Sequence, residues 1–248
     1  METKYVDIHA HLADKVFDKE IAALAPKLSD YAILNSGENP EENAKILSQY
    51  GHYTNLLPCI GLHPNFISSA SRQEVNEGMD FIANNIAASF AVSEIGLDYR
   101  GKDEEQKRLQ MVKFSELLEL AELKNKVCII HSRKAMNELL EILPSFETKV
   151  IIHNFEGNQA HYQKAIAVNA YVSISTGFIK FKRDSLLKKL NLDRLFVETD
   201  SPVLSPDDNI NTPLNIPKIL KYIADLRGMG EEDLRERILL NFQKLFYG

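Results

Sequence analysis

Long apolar runs are missing from this sequence, and no segment approaches the roughly 20 residues that a membrane-spanning helix needs. Its first residues lead directly into a strand-like segment and do not resemble a signal peptide. Cysteine is scarce, because the chain has only Cys59 and Cys128, and both fall within apolar, strand-like runs. We therefore predict two buried core cysteines rather than a disulfide framework, and a reducing, cytoplasmic location without a membrane or an obligate protein partner.

The sequence also lacks an excess of basic residues, since its formal net charge is −6. Proteins that bind along duplex nucleic acid usually present a broad basic surface, so this type of binding is disfavoured. A small anionic substrate, or a nucleic acid held through few phosphates near the chemistry, remains compatible with this charge. No glycine-rich fingerprint follows the first strand-like segment, which removes the usual reason to expect a dinucleotide-binding fold.

Short β-rich runs alternate with amphipathic segments along the whole chain. Several runs are almost continuously apolar, as in parallel strands that helices cover on the outside. The pattern predicts a single (β/α)8 TIM barrel over residues 1–248, and a doubly wound open sheet is the alternative. The predicted strands are Tyr5–His9, Tyr31–Asn35, Leu56–Gly61, Phe90–Ile95, Val127–His131, Val150–His153, Ala170–Ile174 and Leu195–Glu198. The predicted helices are Asp18–Leu28, Glu41–Tyr50, Arg72–Ile86, Glu104–Lys124, Met136–Leu143, Gln159–Asn169, Ser185–Leu190, Pro213–Leu226 and Glu231–Phe246.

Polar residues interrupt these strands near their C-terminal ends, which in a barrel meet at one rim. The clearest case is the first strand, where residues two apart point the same way, so His9 and His11 share a face with Asp7 behind them. Two neutral imidazoles so placed suit a divalent cation such as Zn²⁺. Five of the seven histidines lie at strand ends, whereas His52 and His161 are interpreted as surface or packing residues.

The charge of the predicted ligands indicates how many ions they hold. The ligand set comprises His9, His11, His131, His153, Glu94 and Asp200. Its two carboxylates would leave a site with two divalent ions net positive, which attracts an anionic phosphodiester. A carboxylate has two oxygens, so Glu94 could bridge two ions at the spacing of about 3.5–4 Å found in two-metal hydrolases. A single ion, with the remaining groups acting as acid, base or substrate contacts, is the simpler alternative.

Six short motifs occur in a characteristic order across nearly the full chain. They are Asp-x-His-x-His from Asp7, Gly-x-His-Pro from Gly61, Glu-x-Gly-Leu-Asp from Glu94, His-x-Arg from His131, His-x-Phe-x-Gly from His153 and Glu-Thr-Asp-x-Pro from Glu198. This order resembles the TatD family of metal-dependent deoxyribonucleases. The resemblance implies a TIM barrel that cuts DNA, often from the 3′ end, with two divalent ions (Zn²⁺, Mn²⁺ or Mg²⁺).

The resemblance also implies a role for each motif residue. His9, His11 and Glu94 would bind one ion, and Glu94, His131 and His153 would surround the other. Asp200 would bind metal and activate the attacking water. His63 looks like the family's histidine on the substrate side, so the predicted catalytic residues are Asp200, Glu94 and His63.

The residues predicted to contact substrate are His63, Arg133, Lys180 and Lys182. Arg133 follows His131 by two residues and points the same way on an extended segment, where it can meet a phosphate oxygen. The lysines follow the seventh strand, and loops after barrel strands seven and eight often bind phosphate. The sequence departs from the family at Asn154 and in the stretch 207–213, where acids stand in place of an expected arginine.

The sequence therefore predicts a divalent-metal-dependent phosphodiesterase that uses a metal-activated water. Its partner would be DNA, short or with single-stranded 3′ ends, or another phosphodiester. The same ligands can hydrolyse a small ester or amide, or an aminoacyl-tRNA-type ester, and the acidic charge favours a small substrate. A non-catalytic metal-binding protein is the third hypothesis, but it predicts lost ligands, and none of the six is lost.

Overall fold

The computed structural model describes residues 3–50 and 52–248, except for the side chain of Tyr50. Eight parallel strands form one sheet, in which their spatial order is also their order along the chain. A doubly wound sheet would require this order to reverse, so the predicted (β/α)8 barrel is confirmed. The strands are β1 (Tyr5–Ala10), β2 (Tyr31–Ser36), β3 (Leu56–Ile60), β4 (Ala91–Asp98), β5 (Cys128–Arg133), β6 (Val150–Ile152), β7 (Tyr171–Ser175) and β8 (Leu195–Glu198). That a single domain extends over all of residues 1–248 stays a prediction.

Hydrogen bonds beyond the regular ladder join β8 to β1 and nearly close the barrel. The Asp200 amide donates to the His9 carbonyl at 2.9 Å, and the His11 amide donates to the Ser201 carbonyl at 2.8 Å. The carboxylate of Asp7 accepts a hydrogen bond from the Thr199 amide at 3.0 Å and one from its hydroxyl at 2.5 Å. The seam between the first and last strands therefore passes through the motifs that carry the predicted ligands.

The helices lie between the strands, largely as the sequence predicts. Two short helices, Pro64–Ser69 (α3) and Phe178–Phe181 (α8), were not predicted, and each begins shortly after a strand ends. The helices are α1 (Ile21–Leu24), α2 (Pro40–Tyr50), α3 (Pro64–Ser69), α4 (Arg72–Asn85), α5 (Glu104–Leu123), α6 (Met136–Ile142), α7 (Gln159–Ala167), α8 (Phe178–Phe181), α9 (Asp184–Leu187), α10 (Ile216–Arg227) and α11 (Glu231–Tyr247). Segments 25–28 and 213–215 are 3-10 helices.

The apolar core fills the barrel strands and the layer between strands and helices. In α10, Ile216, Ile219, Leu220 and Ile223 are all buried, at the three- and four-residue spacing of a single helix face. The residues of β2 and of β4 are buried throughout, as expected for strands covered on both sides. Because apolar side chains fill the core, the polar side chains lie at the ends of the strands.

Cys59 and Cys128 are free and fully buried, which confirms the predicted core positions. Burial raises the pKa of both thiols, so neither is a reactive thiolate at neutral pH. In the described part of the chain, no helix is both long and apolar enough to cross a bilayer. The cytoplasmic location stays a prediction.

Candidate metal centre

Five histidines and two acids meet at the C-terminal rim of the barrel. Six of them line a cavity of about 400 Å³, and His9 lies fully buried beneath it. The cavity thus draws its polar side chains from strands far apart in the sequence, as the fold allows. The seven residues are His9, His11, His63, Glu94, His131, His153 and Asp200.

One carboxylate oxygen of Glu94 faces the histidines of the first motif. Glu94 Oε2 lies 3.4 Å from the Nε2 atoms of both His9 and His11. Asp200 Oδ1 lies 3.6 Å from His9 Nε2 and 3.4 Å from His11 Nε2. Two imidazole nitrogens and two carboxylate oxygens therefore converge on one point.

The other oxygen of Glu94 faces a second pair of histidines. Glu94 Oε1 lies 2.8 Å from both His131 Nδ1 and His153 Nε2, and these two nitrogens are 3.3 Å apart. His63 Nε2 stands farther away, 3.6 Å from the same oxygen. The carboxylate thus divides the histidines into two groups, one at each oxygen.

Strand β4 delivers Glu94 through an irregular stretch of backbone. The pairing register of β4 with β5 shifts between Val92 and Ile95, and such bulges re-aim side chains. Gly96 follows with a φ of +140°, and a β-carbon there would lie 2.1 Å from the His131 carbonyl oxygen. Glycine is therefore required for β4 and β5 to approach closely enough to bring Glu94 beside His131.

Hydrogen bonds from neighbouring strands orient the first pair of histidines. His11 Nδ1 lies 3.0 Å from the Ser36 carbonyl oxygen, so this nitrogen carries the proton and Nε2 offers its lone pair. His9 Nδ1 lies 3.0 Å from the Ser36 hydroxyl. His9 Nε2 is buried without a hydrogen-bond partner among the described residues. A buried nitrogen left unpaired beside two carboxylate oxygens fits a metal ligand.

A carboxylate behind His153 serves the same purpose. Glu198 Oε1 lies 3.4 Å from His153 Nδ1, and Glu198 also accepts a hydrogen bond from the Ser173 hydroxyl. Asp98 Oδ2 lies 3.7 Å from His131 Nε2, beyond hydrogen-bond distance, and this nitrogen has no hydrogen-bond partner among the described residues. A carboxylate behind a histidine fixes its tautomer and raises its basicity toward a metal ion.

A backbone amide sets the tautomer of His63. Its Nδ1 accepts a hydrogen bond from the Asn65 amide at 3.0 Å, so in the neutral ring Nε2 carries the proton. Burial lowers the pKa of His63 to about 4, which keeps the ring neutral at physiological pH. A donor N–H pointing into the cavity suits a substrate oxygen better than a cation, and the substrate-side role of His63 stays a prediction.

The histidines of the cluster stabilise the ionised form of its carboxylates. Burial acts to raise the pKa of Glu94, but the surrounding histidines, foremost His153 and His63, lower it well below its usual value. Burial likewise acts against ionisation of Asp200, yet the hydrogen bond from His11 and the nearby histidines lower its pKa. Both carboxylates are therefore ionised at neutral pH, as metal ligands must be.

The comparisons with known proteins agree with this geometry. Residues 6–247 match the family model described as "TatD related DNase". The chain belongs to the TatD family. The "Uncharacterized metal-dependent hydrolase MJ1582" of Methanocaldococcus jannaschii is 31% identical to this chain, with 99% of this chain and 98% of that protein covered. The family match confirms the predicted class, a metal-dependent hydrolase of TatD type.

Two further TatD relatives carry names that state an activity. Human "Deoxyribonuclease TATDN3" is 28% identical over 97% of this chain and 94% of its own length. The Klebsiella pneumoniae "3'-5' ssDNA/RNA exonuclease TatD" is 27% identical over 97% of both chains. The crystal structure of the TatD homologue YjjV from Escherichia coli superimposes over the full length of both chains with a TM-score of 0.88 at 23% identity, which supports the fold.

The residues predicted to contact substrate lie in different surroundings. Arg133 lines the cavity next to His131. Lys180 donates hydrogen bonds to the Asp207 carbonyl at 2.7 Å and to the Asp208 carboxylate at 3.0 Å, so it holds the loop after β8. Neither Lys180 nor Lys182 lines the cavity that the described residues form, and their contact with substrate stays a prediction.

The two histidines that were interpreted as surface or packing residues lie outside the cluster. His52 is exposed, with Nδ1 3.1 Å from the Ser48 carbonyl oxygen. His161 lies in the first turn of α7, where its amide donates to Asn158. No role was predicted from the sequence for several supporting residues, namely Ser36, Asn65, Asp98, Ser173 and Glu198.

Proposed function

We propose that this TatD-family protein hydrolyses phosphodiester bonds with two divalent metal ions, and that its substrate is DNA, short or with a single-stranded 3′ end. The observation that carries the proposal is the division of nitrogen ligands between the two oxygens of Glu94. A carboxylate that faces two such groups suits a bridge between two ions, the arrangement of two-metal phosphodiesterases. The names of the human and Klebsiella relatives support DNA as the substrate and the 3′ end as the point of attack.

The ligands would divide into two sets that share Glu94. His9, His11 and Asp200 complete the first set, and His131 and His153 complete the second. Imidazole and carboxylate ligands in this proportion suit Zn²⁺ or Mn²⁺, with Mg²⁺ the less favoured ion because it prefers oxygen. Divalent ions bound there supply a water of lowered pKa and neutralise charge on the phosphoryl oxygens.

Three residues of the chain would act on the water and the phosphate during hydrolysis. Asp200 is ionised and lines the cavity, so it orients the attacking water and accepts its proton. His63 donates its Nε2 proton in a hydrogen bond to a phosphate oxygen, which stabilises the charge that develops there. Arg133, at the cavity wall, binds a second phosphate oxygen through its guanidinium.

Metal removal and reloading test the proposal. Protein stripped of metal is reloaded with Mn²⁺, Mg²⁺ or Zn²⁺ and assayed on a short, end-labelled single-stranded DNA. We expect at least one ion to restore cleavage, with mononucleotides released from the 3′ end. If no ion restores cleavage of any phosphodiester, the proposal is wrong.

Two variants separate the metal ligands from the general base. Asp200→Asn should lower kcat by at least about 100-fold, since it removes the group that takes the proton. It should retain most of the metal, because five of the six ligands remain. His9→Ala, in contrast, should lose bound metal, as measured by elemental analysis. Near-native turnover by Asp200→Asn would show that another group is the base.

A second candidate, hydrolysis of a small ester or amide, is favoured by acidic residues at the cavity mouth. Asp14, Glu38, Glu42 and Glu156 line the cavity, and they would repel a long polyanion. Bis-p-nitrophenyl phosphate and p-nitrophenyl esters distinguish the two candidates, because only the first contains a phosphodiester. Faster cleavage of the esters, by kcat/KM, would favour the second candidate.

A further inference from the structure

The lining of the cavity includes one apolar stretch. Three consecutive residues after β8 line the cavity, and we call Pro202, Val203 and Leu204 the apolar rim. Val203 is 56% exposed, although it stands only three residues after Asp200. An exposed aliphatic side chain at the entrance of a charged site is in position to contact a substrate.

Hydrogen bonds from the barrel fix the backbone of the apolar rim. The buried Asn211 side chain donates to the Val203 carbonyl at 2.7 Å, and the Asn211 amide donates to the Pro202 carbonyl at 3.0 Å. The Thr176 hydroxyl donates to the Leu204 carbonyl at 2.9 Å. The apolar rim is therefore a positioned surface rather than a loose loop.

The conformation of Leu204 is unusual for its residue type. Its φ is +52°, in the left-handed region that leucine rarely adopts. Such strain persists where surrounding contacts fix the backbone, and it is often found at functional sites. In this case the strained backbone keeps Leu204 at the cavity wall, next to Val203.

Phe181 extends the apolar surface beyond the cavity. A β-carbon placed on Gly177 would lie 3.1 Å from the Phe181 ring and 3.2 Å from Leu204 Cβ, so both side chains converge over this glycine. The Phe181 ring is 63% exposed. A flat apolar surface of this kind can take the face of a planar ring.

Acidic side chains also line the cavity, and they disfavour further phosphates. We call Asp14, Glu38, Glu42 and Glu156 the acidic rim. Of the residues described, Arg133 is the single lysine or arginine that lines the cavity. One phosphate is therefore accommodated at the metal centre, while a chain of phosphates across the acidic rim is repelled. Glu38 adds only part of a negative charge at neutral pH, because burial raises its pKa to about 7.

We propose that the apolar rim binds the nucleobase of the nucleotide whose phosphate lies at the metal centre. The proposal rests on the proposed function, because it requires a nucleotide phosphate at the histidine cluster. The base is the uncharged, planar part of that nucleotide, so it matches the apolar rim, and the sugar spans the distance to the phosphate. The protein would accordingly select a terminal nucleotide by its base as well as by its phosphate.

The proposal is tested with two ligands, of which only one carries a base. Thymidine 5′-monophosphate and 2-deoxyribose 5-phosphate are titrated calorimetrically into the metal-loaded wild-type protein and into two variants. Val203→Ser removes the exposed part of the apolar rim. Ile210→Ser is the matched control, because Ile210 is equally exposed (57%), lies in the same segment and does not line the cavity.

We expect the wild-type protein to bind the nucleotide more tightly than the sugar phosphate. Val203→Ser should weaken nucleotide binding about fivefold, equivalent to about 1 kcal/mol, and leave binding of the sugar phosphate unchanged. Ile210→Ser should change neither dissociation constant. Equal affinity of the wild-type protein for the two ligands, no binding of either, or an equal loss for both in Val203→Ser would overturn the proposal.

Cleavage assays keep this result separate from the proposed function. If the nucleotide is preferred through Val203 but no phosphodiester is hydrolysed, the base site stands and the proposed function is wrong. If DNA is cleaved and Val203→Ser leaves nucleotide affinity unchanged, the proposed function stands and the base site is wrong.

Discussion

At the scale of single residues, the carboxylate of Glu198 shows how a buried group acts through a ligand. Its Oε1 lies 3.4 Å from His153 Nδ1, and the Ser173 hydroxyl holds its other oxygen. His153 Nε2 is thereby directed at Glu94, 2.8 Å away. Glu198 is a positioning residue, because it reaches the candidate metal centre only through the histidine.

We expect Glu198→Gln to weaken binding of the second metal ion about 10-fold, since outer carboxylates behind ligating histidines contribute 10–100-fold to metal affinity. The measurement is a competitive titration of metal against a chelator of known affinity. Glu156→Gln is the control, because it removes the same charge from the cavity wall. Equal affinities in the two variants would contradict a positioning role.

At this scale, the residues that orient the histidines could not be predicted from the sequence. The motifs predicted that these six side chains would meet at one rim, because the alternation of a strand and the meeting of strand ends are general properties of a barrel. Their role as metal ligands stays a prediction. The tautomer of His63, in contrast, depends on an amide two residues further along, at Asn65. Ser36 contacts both His9 and His11 from the neighbouring strand, a contact that no local pattern encodes.

At the scale of secondary-structure elements, the close approach of β4 and β5 depends on Gly96. We expect Gly96→Ala to lower the free energy of unfolding by about 3 kcal/mol, because the new β-carbon would overlap the His131 carbonyl and the φ of +140° is unfavourable for alanine. The same change should lower metal affinity, since His131 must move. Urea unfolding of the metal-loaded protein measures the first effect.

Gly101 provides a matched control for this substitution. Its φ is +69°, but a β-carbon there would meet no atom within 4 Å. Gly101→Ala should therefore cost only the backbone term, about 1 kcal/mol, and leave metal binding unchanged. Similar losses of stability in the two variants would show that contact with β5 is unimportant.

All eight strands were predicted within three residues of their ends, because their apolar runs are distinct. Strand β4 continues to Asp98 and β5 to Arg133, beyond the predicted ends. The polar residues there interrupt the apolar run from which each strand was predicted. The predicted helix over 18–28 is only partly α-helical: α1 ends at Leu24 and a 3-10 helix containing Pro26 follows. Proline has no N–H to continue the α-helical hydrogen bonds.

At the scale of the whole molecule, bound metal ions would explain how an acidic protein can attract an anionic substrate. The net charge is −6, and the acidic rim adds to the negative field at the cavity mouth. Two divalent ions would offset this field locally, over the few ångströms that one phosphate occupies. Substrate binding by this protein is therefore expected to depend on metal loading, and metal loading in turn on the protonation of the histidine cluster.

That dependence predicts a pH effect on metal affinity. Burial acts to lower the pKa of His11 and of His153, but hydrogen bonds and charges from the carboxylates around them raise both pKa values well above that of free histidine. In the absence of an ion, protons therefore occupy the nitrogens that a metal must use. Below these pKa values each proton displaced lowers the apparent metal affinity, so affinity should fall as pH falls and rise as pH rises.

Calorimetric titration of Zn²⁺ or Mn²⁺ into the stripped protein measures this coupling directly. Repeating the titration at one pH in buffers of different ionisation enthalpy yields the number of protons released, and we expect at least one per protein at pH 7. Replacing His161, which lies outside the cluster, with Gln should leave this number unchanged. Metal binding without proton release at any pH would mean that the carboxylates do not hold the protons on these histidines, and the charge balance derived for the centre would be wrong.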